Sequence, residues 1–156
     1  MGQKILLPID ESGNSLRAVN YVAKVSKPED EITLYSLLPI SSKACELDDP
    51  SLAPTFKQNK VVYCGSVNLK KDELISSIAK AKEILSNTGI PSKNIKDKLE
   101  NQNKKIADQI IDEAHQGKYD TIVMGKKKRS KYIDFFIGGV AKKVLLSAKD
   151  ITVVVV

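Results

Sequence analysis

The chain contains 156 residues, of which 42% are hydrophobic and 28% charged, a composition typical of a single globular domain spanning residues 1–156. Its net charge is +6, from 25 basic and 19 acidic residues. Five of the basic residues fall in the stretch 126–131, which contains no acid, so the excess charge belongs to one segment and not to the whole surface. No apolar run approaches the ~18 residues of a membrane helix, and the first predicted strand starts too early for a signal peptide, so we expect a cytoplasmic protein without membrane association.

The first part of the chain alternates strands with helices. Apolar runs at residues 4–9 and 31–38 predict strands, and the intervening residues 12–26 repeat apolar side chains at helical spacing. A second amphipathic helix is predicted over residues 69–87, because acidic residues occupy its first turn and Gly89 follows its end.

Residues 39–68 interrupt this pattern. They show little helical periodicity and contain three prolines, so we expect a long variable loop, either a lid or a surface excursion, with a short strand at residues 61–64. Cys45 and Cys64 match no zinc-binding spacing and are too few for a disulfide framework. We expect both to be free thiols of a reducing compartment.

The second part of the chain continues the alternation. Residues 94–99, 121–124 and 151–156 predict strands, while residues 104–116 and 138–148 predict helices. Strands that alternate with helices and read as continuous apolar runs indicate an α/β fold, with a parallel sheet covered by helices on both faces. Ligands of such sheets bind beyond the carboxyl ends of the strands.

The stretch GKKKRSKYIDFFIGGV, residues 125–140, lies at that edge and favours an anionic ligand. Gly125 ends a buried strand, and Gly138 and Gly139 open a helix whose first amides can approach a phosphate. Five basic residues lie between them. The alternative is that the glycines serve close packing and the lysines are solvated. Nucleic-acid binding is disfavoured, because the basic residues belong to no recognised DNA- or RNA-binding motif.

Three segments together resemble the universal stress protein family over nearly the whole chain. ILLPIDESGNSLRAVNYVAKV resembles the first strand and helix of that family, ITLYSLLP its second strand, and YDTIVMG with ITVVVV its closing elements. The ATP-binding members carry G-x2-G-x9-G-[ST]. At these four positions the chain has Gly125, Lys128, Gly138 and Gly139, so a lysine replaces one glycine and a glycine replaces the hydroxyl residue.

The resemblance implies a Rossmann-like three-layer α/β/α domain, with a five-stranded parallel sheet of order 3-2-1-4-5. It further implies an adenine nucleotide as ligand, ATP with Mg²⁺ if a triphosphate is bound. The residues it assigns to the base and ribose are Pro8, Ile9, Asp10, Leu37, Met124 and Gly125, and those it assigns to the phosphates are Lys128, Gly138, Gly139 and Val140.

The resemblance leaves two functions open. One is regulatory ATP binding in the stress response, with slow hydrolysis at most and no catalytic residues. The other is a nucleotide-free interaction module, as in the branch of the family that lacks the motif. Both predict a homodimer through the last strand, from Ile151 to Val156, because an exposed valine-rich edge favours pairing with another chain.

Overall fold

The computed structural model describes residues 1–39, 45, 51, 53–127 and 137–156, with Phe56 described by its backbone alone. Five strands form one parallel sheet of order β3-β2-β1-β4-β5. The strands are β1 (Lys4–Pro8), β2 (Glu31–Leu38), β3 (Ile95–Asn101), β4 (Thr121–Met124) and β5 (Thr152–Val155). The predicted fold class and strand order are therefore confirmed.

Helices cover both faces of the sheet. They are α1 (Asn14–Val25), α2 (Pro54–Ser86), α3 (Ile106–Gln116) and α4 (Gly139–Ser147), with a short 3-10 helix at Ser92–Asn94. Helices α1 and α2 pack together on one face, and α3 and α4 pack together on the other. No helix in the described part of the chain is long and apolar enough to cross a membrane.

Strand β1 shows why the central strands are predominantly apolar. Ile5 and Leu7 are buried under α1 and α2, whereas Leu6 is buried under α3 and α4. Successive side chains of a strand point to opposite faces, so a strand covered on both sides buries apolar residues on both faces. This packing places the carboxyl ends of β1, β2 and β4 side by side at one edge of the domain.

Helix α2 begins at Pro54, so the predicted loop over residues 39–68 is wrong from residue 54 onward, and the predicted strand at residues 61–64 is wrong. Proline is favoured in the first helical turn. The inner face is a heptad-like stripe, formed by Cys64, Val67, Lys71, Leu74, Ile78, Ala81 and Leu85. Val61, Val62 and Leu69 lie on the exposed surface, and these additional apolar residues hide the helical period from a reading of the sequence.

The two cysteines form a disulfide, which corrects the prediction of free thiols. Cys45 and Cys64 are separated by 19 residues in sequence, and their α-carbons lie 5.7 Å apart. The pairing results from the helical start of α2, which places Cys64 on its half-buried face. A spacing rule cannot predict such a pair, because only the tertiary fold brings the two residues together.

Candidate functional site

A cavity of about 380 Å³ opens beyond the carboxyl ends of β1, β2 and β4, and its volume is within the usual range of small-molecule sites. It collects most of the residues singled out from the sequence. Nine of the ten line it: Pro8, Ile9, Asp10, Leu37, Met124, Gly125, Gly138, Gly139 and Val140. The tenth, Lys128, lies outside the described residues, as do Arg129 and Lys131 of the basic stretch.

One side of the cavity is acidic. Asp10 and Glu11 lie two and three residues after the end of β1, and both line the cavity. The Asp10 carboxylate is oriented by Ser12, whose backbone N–H and hydroxyl donate to Oδ1 over 3.0 Å and 2.6 Å. This is the local turn that aspartate favours at the end of a strand. A carboxylate accepts several hydrogen bonds, so this side suits a ligand that presents donors.

The middle of the cavity is apolar, and three of its residues were not predicted. Tyr35 and Leu37 lie on the same face of β2, while Ile106 and Ile110 are one turn apart at the start of α3. Ile106 is 40% exposed although its helical spacing suggested a core position. Residues two apart in a strand point to the same face. Since Leu37 was predicted to contact the ligand, the same spacing could have predicted that Tyr35 lies beside it.

Tyr35 is held by a chain of polar contacts that leads away from the cavity. Its hydroxyl donates to Glu100 over 2.8 Å, and Lys98 bridges Glu100 and Glu113 over 3.0 Å and 2.6 Å. Burial, followed by the contact with Glu100, raises the pKa of Tyr35, so the phenol stays protonated. The hydrogen bond from Lys98 lowers the pKa of Glu100. These contacts fix the aromatic ring as a rigid wall.

The other side of the cavity combines glycines, helix amides and a lysine. Gly138 has φ +94°, a conformation that favours glycine, and it precedes the first turn of α4. A β-carbon at Gly138 would lie 3.3 Å from the β-carbon of Lys127, so the two ends of the intervening segment approach closely here. The first amides of a helix have no intrahelical acceptor and attract anions. Lys127 adds a positive charge.

The cavity therefore combines three kinds of surface. Acceptor oxygens follow β1, apolar side chains come from β2 and α3, and amides with a lysine come from the start of α4 and the end of β4. A molecule with hydroxyl groups, a flat apolar ring and an anionic group matches that combination. Within the described ranges, no cluster of three His, Cys, Asp or Glu side chains could hold a metal ion.

The universal stress protein family model matches residues 1–156, the whole of this sequence. No curated protein matches the sequence. Among solved structures, the universal stress protein UspA of Lactobacillus plantarum is similar, with 17% identity, a TM-score of 0.68, and coverage of 99% of this chain and 97% of that one.

Two further similar structures contain nucleotides. One is a universal stress protein from Archaeoglobus fulgidus in complex with dAMP, with 18% identity, a TM-score of 0.60, and coverage of 99% and 97% of the two chains. The other is a universal stress protein in complex with cAMP, with 17% identity, a TM-score of 0.61, and coverage of 99% and 96%. At these identities the likeness concerns the fold.

Proposed function

Because this chain belongs to the universal stress protein family, we propose that it is a regulatory protein of the stress response that binds an adenine nucleotide, with ATP as the favoured ligand. The observation that carries the proposal is that one cavity brings together the Asp10 carboxylate, the apolar side chains of β2 and α3, and Lys127 with the start of α4. The dAMP and cAMP complexes of similar proteins support an adenine nucleotide as the ligand class.

The base and ribose would occupy the acidic and apolar parts of the cavity. Adenine is a flat ring, and the side chains of Leu37, Met124 and Ile106 offer it apolar contact. The ribose hydroxyls would donate to the Asp10 carboxylate, which Ser12 holds in place. In this arrangement Pro8 and Ile9 form the backbone wall beside the ribose.

The phosphates would lie against Gly138, Gly139 and Val140, where the first amides of α4 and the Lys127 side chain favour negative charge. Mg²⁺ would accompany a triphosphate. The described carboxylates of the cavity are Asp10 and Glu11, and within the described residues no group of three His, Cys, Asp or Glu side chains could hold a metal ion. The ion would therefore be held by phosphate oxygens and water, as Mg²⁺ often is.

We propose a binding role rather than an enzymatic one, with slow ATP hydrolysis at most. Of the described residues that line the cavity, those beside α4 are glycine, valine, alanine, isoleucine and lysine. None of them is an efficient general base for water at neutral pH. A measured turnover far above the uncatalysed rate would contradict this part of the proposal.

The decisive experiment asks what the purified protein carries and binds. Mass spectrometry of the material released on denaturation should detect an adenine nucleotide, and calorimetric titration with ATP and Mg²⁺ should show saturable binding. Asp10→Ala should abolish the heat, while Asp72→Ala, an exposed position on α2 away from the cavity, should leave it unchanged. No released nucleotide and no heat with the wild type would overturn nucleotide binding.

A specific observation favours the nucleotide-free interaction module as the second candidate. Val61, Val62 and Leu69 lie on the outer surface of α2 with exposures of 72%, 78% and 66%. Neighbouring exposed apolar side chains of this kind are typical of protein-binding surfaces. This candidate predicts that cells carrying substitutions in the cavity survive stress as well as the wild type does. Cells carrying Val62→Lys should survive less well.

We further propose a homodimer through β5. The two edges of the sheet differ, because β3 carries charged residues that pair with neighbours, among them Lys96 with Glu31 over 3.1 Å, whereas β5 reads Thr-Val-Val-Val. Charged edge strands resist pairing with another chain, and valine-rich ones favour it. The β5 edge is therefore the one suited to a partner.

The cytoplasmic location predicted from the sequence is also kept as a proposal. The disulfide between Cys45 and Cys64 removes the argument from free thiols, since disulfides are rare in reducing compartments. Alkylation of intact cells before lysis tests the location. Trapping of both thiols as alkylated cysteines would support a reducing compartment, and a protected pair would count against it.

A further inference from the structure

Arg17 connects the first helix to the basic side of the cavity. It lies near the start of α1, and its Nη2 atom donates to the backbone carbonyl of Lys126 and, over 3.2 Å, to Oδ1 of Asn14. Lys126 is the residue between Gly125 and Lys127, which both line the cavity. A single nitrogen of the guanidinium group thus contacts α1 and the segment that follows β4.

These contacts continue to the acidic side of the cavity. The side-chain amide of Asn14 donates to the Ser12 hydroxyl over 3.1 Å, and that hydroxyl donates to Asp10 over 2.6 Å. A continuous hydrogen-bonded chain therefore runs from Asp10 through Ser12, Asn14 and Arg17 to the carbonyl of Lys126. It joins the acidic residue Asp10 to the segment that carries Lys127.

The backbone of Lys126 is held at both of its polar groups. Its N–H donates to the carbonyl of Val156 over 2.8 Å, and its own carbonyl accepts from Arg17. Lys127 comes next in the chain and lies against Gly138, so the orientation of the Lys126 peptide determines where the Lys127 side chain begins. The bond to Val156 belongs to the preceding peptide, between Gly125 and Lys126, so among the described residues Arg17 supplies the hydrogen bond at the peptide between Lys126 and Lys127.

We propose that Arg17 is a positioning residue for the nucleotide phosphates. It fixes the peptide between Lys126 and Lys127, and thereby directs Lys127 toward the first amides of α4. This inference rests on the proposed nucleotide binding and adds to it a residue outside the cavity lining. Its guanidinium group does not contact the ligand. It acts through the backbone that carries the cation.

The choice of arginine fits this role. The two N–H bonds of one Nη atom diverge at a fixed angle, so they can serve two acceptors on different elements at once. A lysine ammonium would keep the positive charge but loses the planar geometry. The Nε atom of Arg17 is buried and has no hydrogen-bond partner among the described residues, which leaves the Nη2 contacts as those that orient the side chain.

The test compares ligands with and without phosphates. Calorimetric titration with ATP–Mg²⁺ and with adenosine should be carried out on the wild type, Arg17→Met, Arg17→Lys and the control Lys24→Met. Lys24 is an exposed cation on the same helix. Arg17→Met should lower the affinity for ATP on the order of tenfold, since Lys127 would no longer be held for its charge-assisted contact with phosphate, and should leave the affinity for adenosine unchanged. Lys24→Met should behave as the wild type.

The conservative variant separates geometry from charge. If Arg17→Lys binds ATP as weakly as Arg17→Met, the planar shape of the guanidinium group, and not its charge, supports ATP binding, as proposed. If it binds like the wild type, or if Arg17→Met weakens both ligands equally, the positioning role is overturned. A ligand-free readout is the amide ¹⁵N chemical shift of Lys127, which shares a peptide plane with the Lys126 carbonyl.

That shift should move in both Arg17 variants and stay constant in Lys24→Met. An unchanged shift in Arg17→Met would show that Arg17 does not hold the peptide, and would overturn the inference even if ATP binds. A wild type that binds neither ATP nor adenosine would instead refute the proposed function. In that case the Lys127 shift still decides whether Arg17 orients this segment.

Discussion

Gly125 packs so closely against the backbone of Asn14 that a β-carbon on the glycine would lie 2.0 Å from the Asn14 carbonyl oxygen. The end of β4 thus rests on the first turn of α1. Gly125 and Asn14 both line the cavity, so this contact fixes part of its wall. A side chain at position 125 would have to push α1 and β4 apart.

We therefore expect Gly125→Ala to lower the free energy of unfolding by about 1–3 kcal/mol through overpacking, and to weaken ATP binding as well. Urea unfolding and calorimetry measure the two effects. Gly65→Ala is the matched control, because it lies inside α2 and, in the described part of the chain, no atom lies within 4 Å of the added carbon. It should be neutral or stabilising by about 0.5–1 kcal/mol, since alanine favours a helix. Equal stabilities of the two variants would contradict the close packing.

Much of the fold could be predicted because hydrophobic periodicity is a local property. The bounds of β2 and β4 coincide with the apolar runs at residues 31–38 and 121–124. Both strands are largely buried and rich in apolar and β-branched residues, a pattern that favours a strand over a surface helix or a loop. The start of α2 could not be predicted, because Val61 and Val62 are apolar but exposed, and they obscure the period of the inner stripe.

The candidate site could be predicted where it follows strand ends, and not where distant elements meet. Asp10 comes two residues after β1 and Gly125 directly follows β4, so their place at the cavity was predictable from strand order. Ile106 enters from α3, and Arg17 reaches Lys126 from a separation of 109 residues. Such contacts depend on how helices pack on the sheet, which a local pattern does not encode.

The disulfide should contribute measurably to stability. Closing a loop between residues 19 apart lowers the entropy of the unfolded chain, and this corresponds to about 3 kcal/mol in the chain-entropy model. Urea unfolding of the wild type with and without dithiothreitol should show that loss. The double variant Cys45→Ser with Cys64→Ser should match the reduced wild type and ignore the reductant. Reaction of both thiols with iodoacetamide in the oxidised folded protein would disprove the pairing.

Acid should destabilise the protein in part through Glu100. The hydrogen bond from Lys98 lowers the pKa of this carboxyl below its ordinary 4.5. The stability it contributes is therefore present above about pH 4.5 and is lost as the pH falls through the lower folded-state pKa. Glu100→Gln keeps an acceptor for Tyr35 but cannot titrate, so its unfolding free energy should vary less between neutral pH and about pH 3. Exposed Glu73→Gln should retain the wild-type profile, and identical profiles for all three proteins would contradict the assignment.

The proposed dimer depends on backbone groups that point away from the sheet. The N–H groups of Thr152 and Val156 donate to β4 and its flanking residues, so by alternation those of Val153 and Val155 point outward. Val155→Pro removes one outward donor while keeping the bonds to β4, a placement that edge strands tolerate. Light scattering during size-exclusion chromatography should show a monomer for Val155→Pro and a dimer for the wild type. A dimer that persists in Val155→Pro but dissociates in Val62→Lys would place the interface on α2 instead.

The departure of Gly139 from the family motif gives a prediction of gained function. ATP-binding members of the family carry a hydroxyl residue at this position, and no described residue lies within 4 Å of a β-carbon added to Gly139. Gly139→Ser therefore has room at the first turn of α4, next to the proposed phosphates. It should strengthen ATP binding by about 0.5–1.5 kcal/mol, the usual net value of one hydrogen bond.

The control is Gly139→Ala, which adds the same carbon without the hydroxyl. Calorimetry with ATP should rank Gly139→Ser above both Gly139→Ala and the wild type, while adenosine should bind all three alike. If the alanine and serine variants gain equally, the improvement comes from a more rigid helix start rather than from the hydroxyl. If both variants lose affinity for ATP, the phosphates approach the backbone at Gly139 too closely for any side chain, and the glycine itself is the adaptation.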